Sequence, residues 1–120
     1  MTYFYDTYAI IELIEGSFSY SKFQDFKITT SVLNVGEVYT IFLRNEGKNK
    51  ADQWFENFNF ELIEITPQVI VEAAYFRYTN RKKDLSITDS VGYTLSVKHN
   101  MKFLTGDRQF ENIPNVEFVK

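Results

Sequence analysis

Apolar positions follow two rhythms along this chain. In short runs they cluster or alternate: TYFY (2–5), FKITT (26–30), NFELIEI (59–65), MKFLT (101–105) and VEFVK (116–120). Such runs predict β-strands. Between them lie longer segments with apolar residues three and four apart. TYAIIELIEG (7–16), SVLNVGEVYTIFLRNEG (31–47), KNKADQWFENF (48–58), PQVIVEAAYFRYTNRKK (67–83) and SITDSVGYTLSVKHN (86–100) predict helices. Gly16 and Gly47 read as stops, Ser31 as a cap, and Pro67 as a first-turn residue. Strands separated by helices need crossover connections, so the sheet should be mostly parallel. The expected fold is α/β: one domain over 1–120, a three-layer α/β/α sandwich with a five-stranded sheet in the order 3-2-1-4-5. Sheets of this kind bind ligands beyond the carboxyl ends of their strands, where the order reverses.

One position breaks the pattern. Leu33, Glu37 and Ile41 share a helical face that the apolar spacing aims at the core. Burying an isolated carboxylate costs several kcal/mol or raises its pKa until it is neutral. Gly36, next to it, adds a helix penalty of about 1 kcal/mol relative to alanine. The plain alternative is a rotated helix with Glu37 at its solvent edge.

Three further acids stand at element boundaries. Asp6 directly follows the first strand and could simply cap a helix. Asp107 follows the fourth strand through Thr105 and Gly106, and could be a turn acid. Asp89 stands three residues after Ser86, the spacing of a capping box. If the first and fourth strands are neighbours, Asp6 and Asp107 flank the switch-point crevice, and Glu37 and Asp89 come from helices that can border it. Four converging carboxylates repel and protonate unless a cation joins them. An all-oxygen set without His or Cys suits Mg²⁺.

Composition narrows the chemistry. The 120 residues include no cysteine, which excludes disulfide frameworks, thiolate zinc sites and cysteine nucleophiles. The net charge of −3 excludes a general basic footprint for nucleic acid. No apolar run is long enough to span a bilayer. The N-terminal MTYFYDTYAI lacks a basic region and carries Asp6, so no signal peptide is expected and the protein reads as cytoplasmic. Aromatics make up 18% of the chain, more than a small core needs, which leaves room for an interface.

The segments YFYDTYAI, NVGEVYTIF, LSITDSVGYTLS and KFLTGDRQF, in this order and spacing, resemble a PIN-domain nuclease over essentially the whole chain. The length is similar to that of the VapC-type toxins of prokaryotic toxin–antitoxin pairs. The resemblance implies that Asp6, Glu37, Asp89 and Asp107 form an acidic metal site holding one or two Mg²⁺ or Mn²⁺ ions. It also implies that Thr7 and Thr105 support that site. The implied reaction is metal-assisted hydrolysis of an RNA phosphodiester, and the implied partners are an RNA substrate, a cognate antitoxin and a second copy of the chain. Many relatives carry Ser or Asn two residues after the first acid, where this chain has the bulkier Tyr8.

Phosphate needs cations near the acids. Arg108 adjoins Asp107, and RYTNRKK supplies Arg77, Arg81, Lys82 and Lys83. The alternative for these residues, and for Lys98 and His99, is the dressing of helix C-termini. Rival functions are a PIN-like module acting in RNA processing or binding without cutting, and a doubly wound phosphotransfer domain. A haloacid-dehalogenase-type phosphatase would want an acid at Tyr8, and a receiver domain would want one after the third strand, where Thr66 and Pro67 stand.

Overall fold

Tyr3–Tyr5 forms β1 and runs through Asp6 into helix α1, Thr7–Ile14. The computed structural model describes residues 2–120. A 3₁₀ segment, Phe18–Phe23, follows, then β2 (Thr29–Thr30), α2 (Val32–Glu46) and α3 (Lys48–Asn57). The chain continues with β3 (Glu61–Leu62), α4 (Pro67–Thr79) and α5 (Ile87–Lys98). It closes with β4 (Lys102–Thr105), a 3₁₀ turn at Arg108–Phe110, and β5 (Val116–Phe118).

Local chemistry explains the helix starts. Ser31 and Thr66 accept the backbone N–H three residues on, and Pro67 opens α4, where its missing donor is harmless. Ser86 and Asp89 form a reciprocal capping box on α5. Gly47, at φ +88°, ends α2 and starts α3, a turn that only glycine makes without strain.

The strands pair in parallel, as expected, but not as one sheet. β1, β4 and β5 form a three-stranded sheet in the order β1-β4-β5, while β2 and β3 pair separately. The expected 3-2-1-4-5 neighbours are therefore present except for the β2–β1 ladder. At that join a side chain replaces the backbone: the Thr30 hydroxyl donates to the Tyr5 carbonyl at 2.8 Å.

Alternation along β1 and β4 produces the layers. Phe4 and Phe103 face one side, where they join Leu95, Val91, Phe110 and Ala73. Tyr5 and Leu104 face the other, with Ala9, Ile10, Tyr20, Phe23 and Val38. α5 lies so close to the first side that a Cβ on Gly92 would stand 2.8 Å from the Phe4 ring. Most of the aromatic excess is packing: Trp54 stacks between Phe42 and Phe58. Phe18, Phe26, Phe55, Tyr75 and Tyr78 remain exposed. Among the described residues, no helix is long and apolar enough to cross a membrane.

Candidate active site

The β1–β4 register sets Tyr5 beside Leu104, so Asp6 and Thr105 leave the sheet at the same edge. The Asp6 amide donates to the Leu104 carbonyl at 3.1 Å. Asp6 holds the N-cap position of α1, yet its side chain makes no capping bond. It turns to Thr105 instead, whose hydroxyl donates to Oδ2 at 2.7 Å. Oδ1 is buried without a hydrogen-bond partner. The carboxyl is pushed up from 3.8 to about 7. Burial is the largest cause, followed by the Asp89 charge. The Thr105 hydroxyl and the nearby Thr7 N–H offset part of this, and the Glu37 charge adds to it.

Glu37 reaches the same place from α2. The Thr7 hydroxyl donates to its Oε1 at 2.6 Å. Thr7 is itself held by Asn34, whose amide donates to Oγ1 at 3.1 Å, while Ser31 donates to the Asn34 carbonyl oxygen at 2.6 Å. The expectation that Leu33, Glu37 and Ile41 form the core stripe is corrected here. All three are half-buried, and the buried face of α2 is Asn34, Val35 and Val38. Glu37 thus lies at the rim of the helix and not in the core.

The simple readings of Asp89 and Asp107 also hold. Asp89 Oδ2 accepts the Ser86 N–H at 2.9 Å, and Asp107 Oδ1 accepts the Gln109 N–H at 3.0 Å. The Asp89 carboxyl is raised, chiefly by burial, against the pull of the Ser86 hydrogen bonds. The charges of Asp107 and Glu37 raise it further.

Each of the four acids therefore has an oxygen fixed by the scaffold, and Asp6 Oδ1 is buried without a partner. No described cation pairs with any of them, since the ion pairs formed are Lys48–Asp52, Lys98–Glu72 and Arg108–Glu111. Asp6, Asp89 and Asp107 line one cleft of about 420 Å³, and Glu37 lines the adjoining groove, the two meeting at Ile41. Among the described residues, no three such side chains close to metal-cage spacing. The charges of Asp89 and Glu37 bear on Asp6, and those of Asp107 and Glu37 on Asp89. Hard oxygens, an orphaned Oδ1 and uncompensated charge are the chemistry that a divalent cation satisfies.

Tyr8 shapes the mouth of this cleft. A Cβ on Gly106 would stand 2.3 Å from the Tyr8 ring and 2.4 Å from the Val119 carbonyl oxygen, so the glycine between Thr105 and Asp107 accommodates the larger ring. Lys120 lies over that ring at 5.2 Å, and its ammonium donates to the Gly106 carbonyl at 3.4 Å.

The sequence reading missed Lys120, the Asn34 brace, and Glu12 and Glu15, which also line the cleft. Spacing alone could have found the last two, because Tyr8, Glu12 and Glu15 share a face of α1 with Ile11.

The expected cations are placed differently. Arg108 pairs with Glu111 at 3.4 Å. Arg77 donates to the Leu85 carbonyl and Arg81 stacks on Tyr78, and both line a separate cleft of about 470 Å³ with Lys83. Its Asp84 amide donates to Gln109 at 3.1 Å, which ties that loop to the Asp107 turn. His99 is the C-cap of α5.

No curated protein matches this chain. Solved structures do. VapC20 of Mycobacterium tuberculosis, described as a sarcin–ricin loop cleaving toxin, superposes with a TM-score of 0.81 at 15% identity, covering 99% of this chain and 100% of that one. VapBC2 of Rickettsia felis, bound to a DNA fragment from its promoter, gives 0.74 at 18% identity and covers 100% of both chains. A toxin–antitoxin complex from Klebsiella pneumoniae gives 0.72 at 16% identity, covering 98% of this chain and 96% of that one. At these identities the likeness is one of fold. The PIN domain family model matches residues 3–116, from the start of β1 to the start of β5 and so across all four acids. The chain belongs to the PIN domain family.

Proposed function

We propose that this protein is a metal-dependent endoribonuclease and the toxin of a toxin–antitoxin pair. The observation that carries the reading is Asp6: a buried carboxylate with one oxygen fixed by Thr105 and the other unpartnered, in a cleft shared with Asp89 and Asp107. Asp6, Glu37, Asp89 and Asp107 would hold one or two Mg²⁺ or Mn²⁺ ions. Such ions stabilise charge on the phosphate oxygens and lower the pKa of a water. The chain's own part is preorganisation. Thr105 holds Asp6 Oδ2 and leaves Oδ1 without a partner. Thr7 and Asn34 fix Glu37, and the two caps fix Asp89 and Asp107. Burial and the Asp89 charge push the Asp6 carboxyl up to about 7, and a cation held there would favour its ionised form.

The toxin assignment draws on the neighbours: one is described as a sarcin–ricin loop cleaving toxin and another as a toxin–antitoxin complex. An antitoxin partner rests on the same ground, and a second copy of the chain rests on the sequence resemblance alone.

The test is cleavage of structured RNAs, a sarcin–ricin loop among them, with and without Mg²⁺ or Mn²⁺, by wild type and Asp6→Asn. Metal-dependent cleavage by wild type alone is expected. Equal cleavage by both proteins, or none by wild type with metal present, overturns the reading.

A further inference from the structure

Gly36 lies inside α2, one residue before Glu37. Its φ is not positive, so no left-handed turn calls for glycine. A Cβ built there meets nothing within 4 Å, in contrast to Gly92, where it would strike Phe4. Glycine is poorly suited to a helix interior. Nothing inside the molecule explains this one, so the explanation is sought outside.

The exposed glycine separates two grooves. The first, about 580 Å³, holds Glu37, Thr40 and Arg44 and meets the acid cleft at Ile41. Arg44 makes no ion pair with a described residue. The second, about 390 Å³, is walled by Tyr39 and Phe55. Their rings meet edge to face at 6.4 Å, and Phe55 is 54% exposed. The Tyr39 hydroxyl bonds to Asp52, which pairs with Lys48 at 2.7 Å. The ring is thereby held in place and the acid beside it is balanced.

Resting on the nuclease reading, we propose that single-stranded RNA crosses α2 at Gly36. Its backbone passes over the glycine with a phosphate against Arg44, and a base stacks on the Phe55–Tyr39 platform. A neighbouring phosphodiester then enters the acid cleft. Three features favour RNA over a protein segment: the groove runs directly into the acids, its cation is uncommitted, and the far side offers an ordered aromatic surface. Close backbone approach requires a missing Cβ, and base–aromatic stacking tolerates any sequence.

The test uses the Asp6→Asn protein, so that RNA stays intact, and reads anisotropy of a fluorescein-labelled oligouridylate together with the melting midpoint. Gly36→Ala and Gly36→Leu are expected to raise the midpoint through better helix propensity, yet to weaken RNA binding, the leucine more than the alanine. Phe55→Ala is expected to weaken binding about 5- to 10-fold with little change in melting. Unchanged affinity across the Gly36 series overturns the inference and leaves the nuclease reading standing. So does a lowered midpoint, which assigns the glycine to folding. No RNA binding by the Asp6→Asn parent, with no cleavage by wild type, overturns both.

Discussion

The Thr105 hydroxyl donates to Asp6 across 99 residues of chain and also accepts the Asp107 N–H at 3.1 Å. One buried side chain thus sets two acids at once. Thr105→Val keeps the shape and removes both bonds, leaving an amide and a carboxylate oxygen short of partners. A loss of about 1–3 kcal/mol is expected in urea unfolding, with a parallel fall in RNA cleavage. Unchanged stability would show that the bond contributes nothing.

Asp6 makes stability depend on pH in an unusual direction. Its folded pKa, about 7, lies above its ordinary 3.8, so the folded state binds more protons than the unfolded state between those values. The stability Asp6 contributes is complete below about pH 4 and is lost as pH rises through about 7. Melting scans without metal should show this loss, and Asp6→Asn should flatten it. A divalent cation at 100 times its Kd should restore about 2.7 kcal/mol at slightly alkaline pH. Melting insensitive to Mg²⁺ and Mn²⁺ would remove the metal from the account.

The Ser31–Asn34–Thr7–Glu37 chain should behave as a unit. Asn34→Ala leaves the hydroxyls of Ser31 and Thr7 without their amide partner in a buried setting. A loss of about 1–3 kcal/mol is expected. In a double-mutant cycle with Thr7→Val, the combined loss should fall short of the sum. Strict additivity would mean the two residues act separately.

Gly106 and Tyr8 are coupled by space. Gly106→Ala drives a methyl into the Tyr8 ring and the Val119 carbonyl, a loss of about 1–3 kcal/mol. Tyr8→Ala should recover only part of it, because the carbonyl remains in the way. Full recovery in the double variant would show that the Val119 carbonyl yields freely.

Much of this was legible in the sequence because it is local. Ser31, Pro67, Gly47 and the Ser86–Asp89 pair announce their helix ends through short-range chemistry, and all behave as read. The order of strands and helices followed from periodicity. The gaps are long-range. Whether β2 pairs with β1 depends on what Thr30 bonds to, which has no periodic signature. The rotation of α2 was misjudged because buried Asn34 counts as polar in any pattern, although its hydrogen bonds let it stand in the core. Arg108 lies beside Asp107 in sequence, yet its head turns to Glu111. Asp6 shows the reverse: its sequence position offered a cap, and only the structure shows the carboxyl turned away from that task.

The missing β2–β1 ladder has a mechanical consequence. A run of backbone bonds breaks only when a strand is peeled away, whereas the Thr30 hydroxyl can let go by rotating a single torsion. β2 leads directly into α2, so Glu37 is carried on the far side of that weak join from Asp6, Asp89 and Asp107. Glu37 is nonetheless held across that join, by the Thr7 hydroxyl and by Val38 packing with Tyr5 and Leu104, so its place depends on side chains and not on a continuous sheet.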